Sequence, residues 1–375
     1  MLKGLYLSLF IGPMVPVPAP KAVVDALISA QVNTGGERSG FQLVFSMNKK
    51  SSIYKTLLPT GFFDPGTTRV ILAVTLGGIP NVLIDGIVTR HEVAPSNEGG
   101  QSTLTITGED LTVLMDVVEI PIMRYPCMPV VARLNLLLIK YLAFGIVPIV
   151  IPPLFPDIPI PTQQVPSQTG TDLDYLKKMK EQTGYIFYLE PGPVPGASLF
   201  YFGPDVRIPI PQPALTVNMD AASNVETLSF SLDGLAKKVV IMTIMDPITG
   251  KIPIPIPVPN ISLLRPPLGA RPTAPMKVSF PPEGGNLNSI QAIGLALAKT
   301  GDTGEAISGS GTLNVIRYGS VLRPNLLVGV RGAGSTYDGM YYVRTVTHNI
   351  KRGEFKQSFT LSRDGLVSAT QTVPV

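Results

Sequence analysis

The chain has 375 residues, enough for two or three domains with cores of their own, and 30 Lys and Arg against 26 Asp and Glu leave a net charge of +4. No run of five like charges occurs, so composition implies no polyanionic or nucleic-acid partner. The one cysteine, Cys127, cannot close an internal disulfide, which excludes a disulfide-built secreted scaffold and fits synthesis in a reducing cytoplasm.

The opening MLKGLYLSLFIG alternates like a strand and lacks a small-residue cleavage site, so it reads as structure and not as a leader. Alternation then marks strands over Leu5 to Phe10, Phe41 to Ser46, Arg69 to Leu76, Val82 to Glu92 and Ser102 to Thr107. Residues 1–115 are therefore expected to form a β domain.

After Asp110 the pattern changes. Pro129 can open a helix over VVARLNLLLIKYLAFG, with Gly145 as its left-handed cap. The 16 residues from 130 to 145 carry Arg133 and Lys140 on one face and fall short of the ~20 needed to span a bilayer, which predicts a buried or interface helix. From Ile146 to Pro166 crowded prolines predict an extended connection without regular structure. SQTGTDLDYLKKMKEQTG restores a helix, with Thr171 and Asp174 as a capping box and Gly184 as its stop. YIFYLEP and ASLFYFGP read as a hairpin. Residues 116–213 make a helix-containing middle domain.

Strand alternation returns in LTVNMD, VETLSFSLD and KKVVIMTIM, and again from Thr312. Residues 214–246 and 311–375 are read as a second β domain, with 247–310 an insertion carrying one helix over Ser289 to Lys299. In IPIPIPVP every second residue lacks an N–H, so this stretch must be an edge strand or a polyproline-like arm. With 38 prolines, a mean hydropathy of +0.29 and only 15% charged residues, surplus apolar surface is expected to be covered in an obligate assembly. Ile252, Ile254, Ile256 and Val258, with Ile208 and Ile210 of the similar IPIPQP, are the candidate contacts to a neighbouring subunit.

One internal repeat organises all of this. LAVTLGG, DGIVTRHEV, a turn and LTIT ending at Asp110 match VGVRGAG, DGMYYVRTVTHNI, a turn and FTLS ending at Asp364. The two histidines, His91 and His348, fall at matching places within it, apart from a bulge or an offset. A histidine repeated with its scaffold is structural, Cys127 has no His or Cys at ligand spacing, and GGERSG, SGSG and GAGS lack the context of a phosphate loop. No catalytic residue, metal or cofactor is expected.

SGFQLVF, LIDGIVTRHE, TLTITGEDL, QTGTDLDYLKKMKEQTGYIFYLEPG, LFYFGP and VRGAGSTYDGMYYVRTVTHNIKRGEFKQSFTLSRDG together resemble the late control gene D family of contractile phage tails. That family includes the baseplate hubs of phages and of extracellular contractile injection systems, and the hub half of type VI spike proteins. The resemblance implies a mainly β, α+β chain with two similar tube-type β-barrel domains and inserted segments. It implies a homotrimeric ring that adapts a hexameric inner tube to a trimeric spike, because an interface repeats only as often as the subunits that present it.

The implied partners are the chain itself, an inner tube or tube-initiator protein, a separate spike protein and other baseplate components. A separate spike is expected because the chain reaches Val375 some ten residues past its last strand. No nucleic-acid specificity or membrane partner is expected. Made in the bacterial cytoplasm, the chain would end in the baseplate of a phage tail or an injection particle. Two other classes stand beside this structural reading. One is a membrane- or receptor-binding module using residues 130–151 and the proline arms. The other is a β-rich hydrolase dependent on His91 and His348.

Overall fold

A computed structural model describes residues 4–96, 102–153, 165–207, 211–245, 253–258, 266–279 and 305–369. Thirteen strands among them join in one sheet. Twelve of these fall into two sets of six. The first set is β1 (Leu5–Pro13), β2 (Leu27–Thr34), β3 (Gly40–Met47), β4 (Thr68–Leu76), β5 (Ile79–Ala94) and β6 (Ser102–Asp110). The second is β7 (Pro211–Thr216), β8 (Val225–Leu232), β9 (Ile307–Asn314), β10 (Leu327–Arg331), β11 (Gly339–Lys351) and β12 (Glu354–Arg363).

Neighbours run β1-β4-β5-β6-β3-β2 in the first set and β7-β10-β11-β12-β9-β8 in the second. Within each unit the order is first, fourth, fifth, sixth, third, second. The connections also repeat: a short helix (Lys21–Ala26) or 3-10 turn (Asp220–Ala222) follows the first strand, and one helical turn (Ile53–Leu57 or Val315–Tyr318) follows the third. One difference stands out. β1 runs antiparallel to β4, whereas β7 runs parallel to β10.

The strands form because apolar residues recur at every second position, which puts them on one face of the pleat. β3 buries Phe41, Leu43, Phe45 and Met47, and β6 buries Leu104 and Ile106 while its threonines face out. Both units share a single core, with Val32, Phe45 and Val88 from the first and Leu215, Tyr341 and Phe359 from the second. β2 has no forecast in the sequence, since KAVVDALISAQVN carries no turn residue where the helix Lys21–Ala26 gives way to the strand.

Between the units lies a layer with its own core, in which Leu134, Leu137, Leu173, Leu176, Phe200 and Phe202 pack. The helix Val130–Leu138 tightens into a 3-10 segment, Ile139–Phe144, and ends at Gly145 with φ 79°. The helix Asp172–Thr183 carries the expected capping box of Thr171 and Asp174 and ends at Gly184. Residues after Gly145 depart from the expected irregular connection. Ile146–Val150 is a strand, parallel to Ser198–Gly203 of the hairpin with Ile186–Pro191. Pro148 is tolerated there because the strand lies at the sheet edge.

The insertion contributes a three-stranded sheet in which Pro253–Val258 is an edge strand paired with Lys238–Met245. Prolines 253, 255 and 257 have no N–H to donate to that ladder, so the backbone N–H groups of the residues between them supply it. The predicted helix Ser289 to Lys299 lies outside the described residues.

Candidate functional site: the strand seam and the free edges

The two units are joined by one strand. β11 pairs with β12 over Tyr342–Lys351 on one side. On the other side Gly339–Tyr342 pairs with β10 and Val346–Lys351 pairs with β2 of the first unit. Opposite partners at this seam are Thr34 with Val346, Asn33 with Thr347, Val32 with His348 and Gln31 with Asn349. On the core side the seam sets a polar group among the buried Val32, Val346 and Ile350. The Thr34 hydroxyl donates to the Val346 carbonyl at 3.0 Å and lies 3.3 Å from His348 Nε2, while the Gln357 amide sits 3.1 Å from His348 Nδ1. Gln357 also bonds both backbone groups of Leu322. Burial, helped by the charge of Arg323, pushes the His348 pKa down to about 3, so the ring is neutral at pH 7.

The register of the bulges shows what matches what. β5 shifts register against β6 between Val88 and Arg90, and β11 shifts against β12 between Val343 and Thr345. His91 is thus the counterpart of Val346, and the counterpart of His348 is Val93. The two histidines do not occupy matching places: a two-residue offset keeps both on the core face, and alternation alone cannot detect it. His91 instead places Nδ1 3.3 Å from the Phe63 carbonyl. No group of three or more His, Cys, Asp or Glu side chains able to hold a metal occurs among the described residues. Cys127 is exposed.

A cleft of about 500 Å³ between residues 180–188 and the seam is lined by Glu37, Lys180, Asp205, Tyr342 and Arg344. Its charges answer one another. Lys180 pairs with Glu37, Arg344 and Arg207 with Glu305, and the Tyr342 hydroxyl bonds Asp205 at 3.1 Å. Burial alone would raise Glu305, but the two arginines outweigh it and hold the carboxyl below its usual range. Such a cluster braces the middle layer against the second unit.

Of the predicted contact residues, Ile254, Ile256 and Val258 lie on the edge strand Pro253–Val258, while Ile208, Ile210 and Ile252 lie outside the described residues. Among the strand edges with no strand partner in the described residues are the outer edge of β8, and β5 beyond Thr89 on the side away from β6. Sequence reasoning found both strands, but which side of each stays bare follows only from the strand order. The helical stretch after Pro129 also presents Leu136, Ile139 and Leu142 to solvent, 49%, 59% and 48% exposed. No helix among the described residues is long and apolar enough to cross a membrane.

No family model and no curated protein matches the sequence. Solved structures do. A tail protein from Neisseria meningitidis MC58 aligns over 97% of this chain and 98% of its own, with a TM-score of 0.60 at 15% identity. The 43 kDa tail protein of prophage MuSo2 from Shewanella oneidensis aligns over 97% and 100%, with a TM-score of 0.60 at 14% identity. The E. coli c3393 protein, a component of the type VI secretion system, aligns over 93% and 76%, with a TM-score of 0.54 at 11% identity. The fold is the one these tail and secretion proteins share. The alignment extends over nearly the whole length of both tail proteins.

Proposed function

We propose that this protein is a structural hub of a phage tail baseplate or contractile injection particle, a homotrimeric ring that adapts a hexameric inner tube to a trimeric spike. The observation that carries the reading is the duplication itself. Two units with one strand order, joined edge to edge inside each chain, give three copies six similar β units. A threefold body then offers a near-sixfold face. The fold common to tail proteins and a type VI component supports the setting, and the structural role fits a chain whose two histidines serve as a seam contact and a backbone contact.

In this reading residues 1–115 form one tube-type barrel domain and 116–213 the middle domain; the other barrel, expected over 214–246 and 311–375, takes its strands from Pro211–Leu232 and Ile307–Arg363, and Lys238–Met245 joins the 247–310 insertion. The proline-bearing insertion and the apolar face around Ile139 meet other baseplate components. The test is to purify assembled particles and average images of the baseplate. A ring with threefold symmetry containing this chain is expected next to the tube end. Particles that lack the chain, or hold it as single copies on the periphery, would refute the reading.

A further inference from the structure

The seam inside the chain has an unfilled counterpart. β2 shifts register against β3 between Leu27 and Ser29, and β8 against β9 between Val225 and Thr227. Aligning the units on these bulges makes Leu232 the counterpart of Thr34, Ser231 of Asn33, Phe230 of Val32 and Ser229 of Gln31. With the β5 alignment, the joint that β2 makes with β11 has a second version: Ser229–Leu232 against His91–Ala94. Within one chain those segments do not pair.

The chemistry of the second version differs. Where the inner joint buries Thr34, His348 and Gln357, the second carries Leu232, Val93 and Leu104, the last lying opposite Val93 on β6, with His91 in the place of Val346. Leu232 is 41% exposed and Val93 40% exposed, although their counterparts Thr34 and His348 are buried. Bare strand edges with exposed apolar residues associate unless they are covered, and burying both side chains is favourable. Phe230, the counterpart of Val32, is already held in place, stacked on Tyr337 at 5.1 Å.

We propose that copies of this chain join by antiparallel pairing of His91–Ala94 of one copy with Ser229–Leu232 of the next, sealed by an apolar contact of Leu232, Val93 and Leu104. This rests on the ring reading above and names its contact. The difference between joints also gives selectivity. If β8 of another copy displaced β2 from β11, Leu232 would replace Thr34 beside His348 and leave buried polar groups without partners. The ring therefore alternates joints that bury Thr34, His348 and Gln357 within chains with joints that bring Leu232, Val93 and Leu104 together between them.

The test starts from a Cys127→Ser chain carrying Glu92→Cys and Ser231→Cys, two exposed positions that the pairing sets directly opposite. Oxidation of purified particles should give a covalent product of up to three copies, and neither single cysteine should give one. Particles with an intact threefold ring but no cross-linked product would overturn the pairing and spare the ring. Absence of any ring would overturn both. In cells making wild type and a Leu232→Thr, Val93→His chain together, the variant should enter particles at least tenfold less often, with its own melting temperature unchanged. Equal incorporation would overturn the apolar contact.

Discussion

At the scale of single residues, His348 is informative because its neutrality is imposed by its surroundings. An imidazolium there would sit in the core at the seam, near the Arg323 charge, with Gln357 and Thr34 as its polar neighbours. Its folded pKa of about 3 lies below the ordinary value of about 6.5. The unfolded chain thus binds the proton first as pH falls, and stability is full above about 6.5 and declines between about 6.5 and 3. Denaturant titrations from pH 7 to pH 5 should show a slope of up to about 1.4 kcal/mol per pH unit that His348→Gln lacks; equal slopes would place the histidine elsewhere. Arg363 is a second case. Fully buried and without a carboxylate ion pair among the described residues, it donates to the carbonyls of Gly365, Asp338 and Thr336 and lies 4.4 Å from the Tyr341 ring centroid. Arg363→Met should cost roughly 2–4 kcal/mol in a denaturant titration, because those carbonyls lose their donors.

At the scale of elements, the crossing point of the first unit is Gly86, which pairs with Val70 on β4 and Asp110 on β6. A Cβ there would meet the Glu109 carbonyl at 2.1 Å, closer than any real contact. Gly86→Ala should therefore move the β5–β6 ladder and lower thermal stability by an amount corresponding to roughly 2–4 kcal/mol; an unchanged melting temperature would show that the ladder can shift freely. Elements with local signals were legible in the sequence. The capping box at Thr171, the stops at Gly145 and Gly184, the hairpin at 186–203 and the five strands of the first unit all carry periodicity or punctuation. β2 and Ile146–Val150 were not legible, because one lacks a boundary residue and the other depends on a parallel partner some fifty residues away. The seam was half legible. Alternation gave the faces of β5 and β11, but register depends on bulges that no residue type announces.

At the scale of the whole molecule, one extended sheet holds two units through a single shared strand, and the arginine of a buried ion pair in the first unit also bonds the middle layer. Arg69 grips Asp85 at 2.7 Å and reaches the Gly196 carbonyl at 3.3 Å. Burial pushes Asp85 up despite that partner. The insertion is tested by deletion. Removing residues 252–259 should leave a folded chain, since Pro253–Val258 is an edge strand, and should lower the yield of assembled particles; normal yield would free this strand from any part in assembly.

The prolines of Pro253–Val258 limit how such a contact could be made. With every outward position lacking a hydrogen to give, that rim can accept from a visitor but cannot reciprocate, so no foreign strand can zip onto it. A chain made to be joined sideways at chosen places has here a flank that refuses to polymerise, and any neighbour must hold it by its side chains.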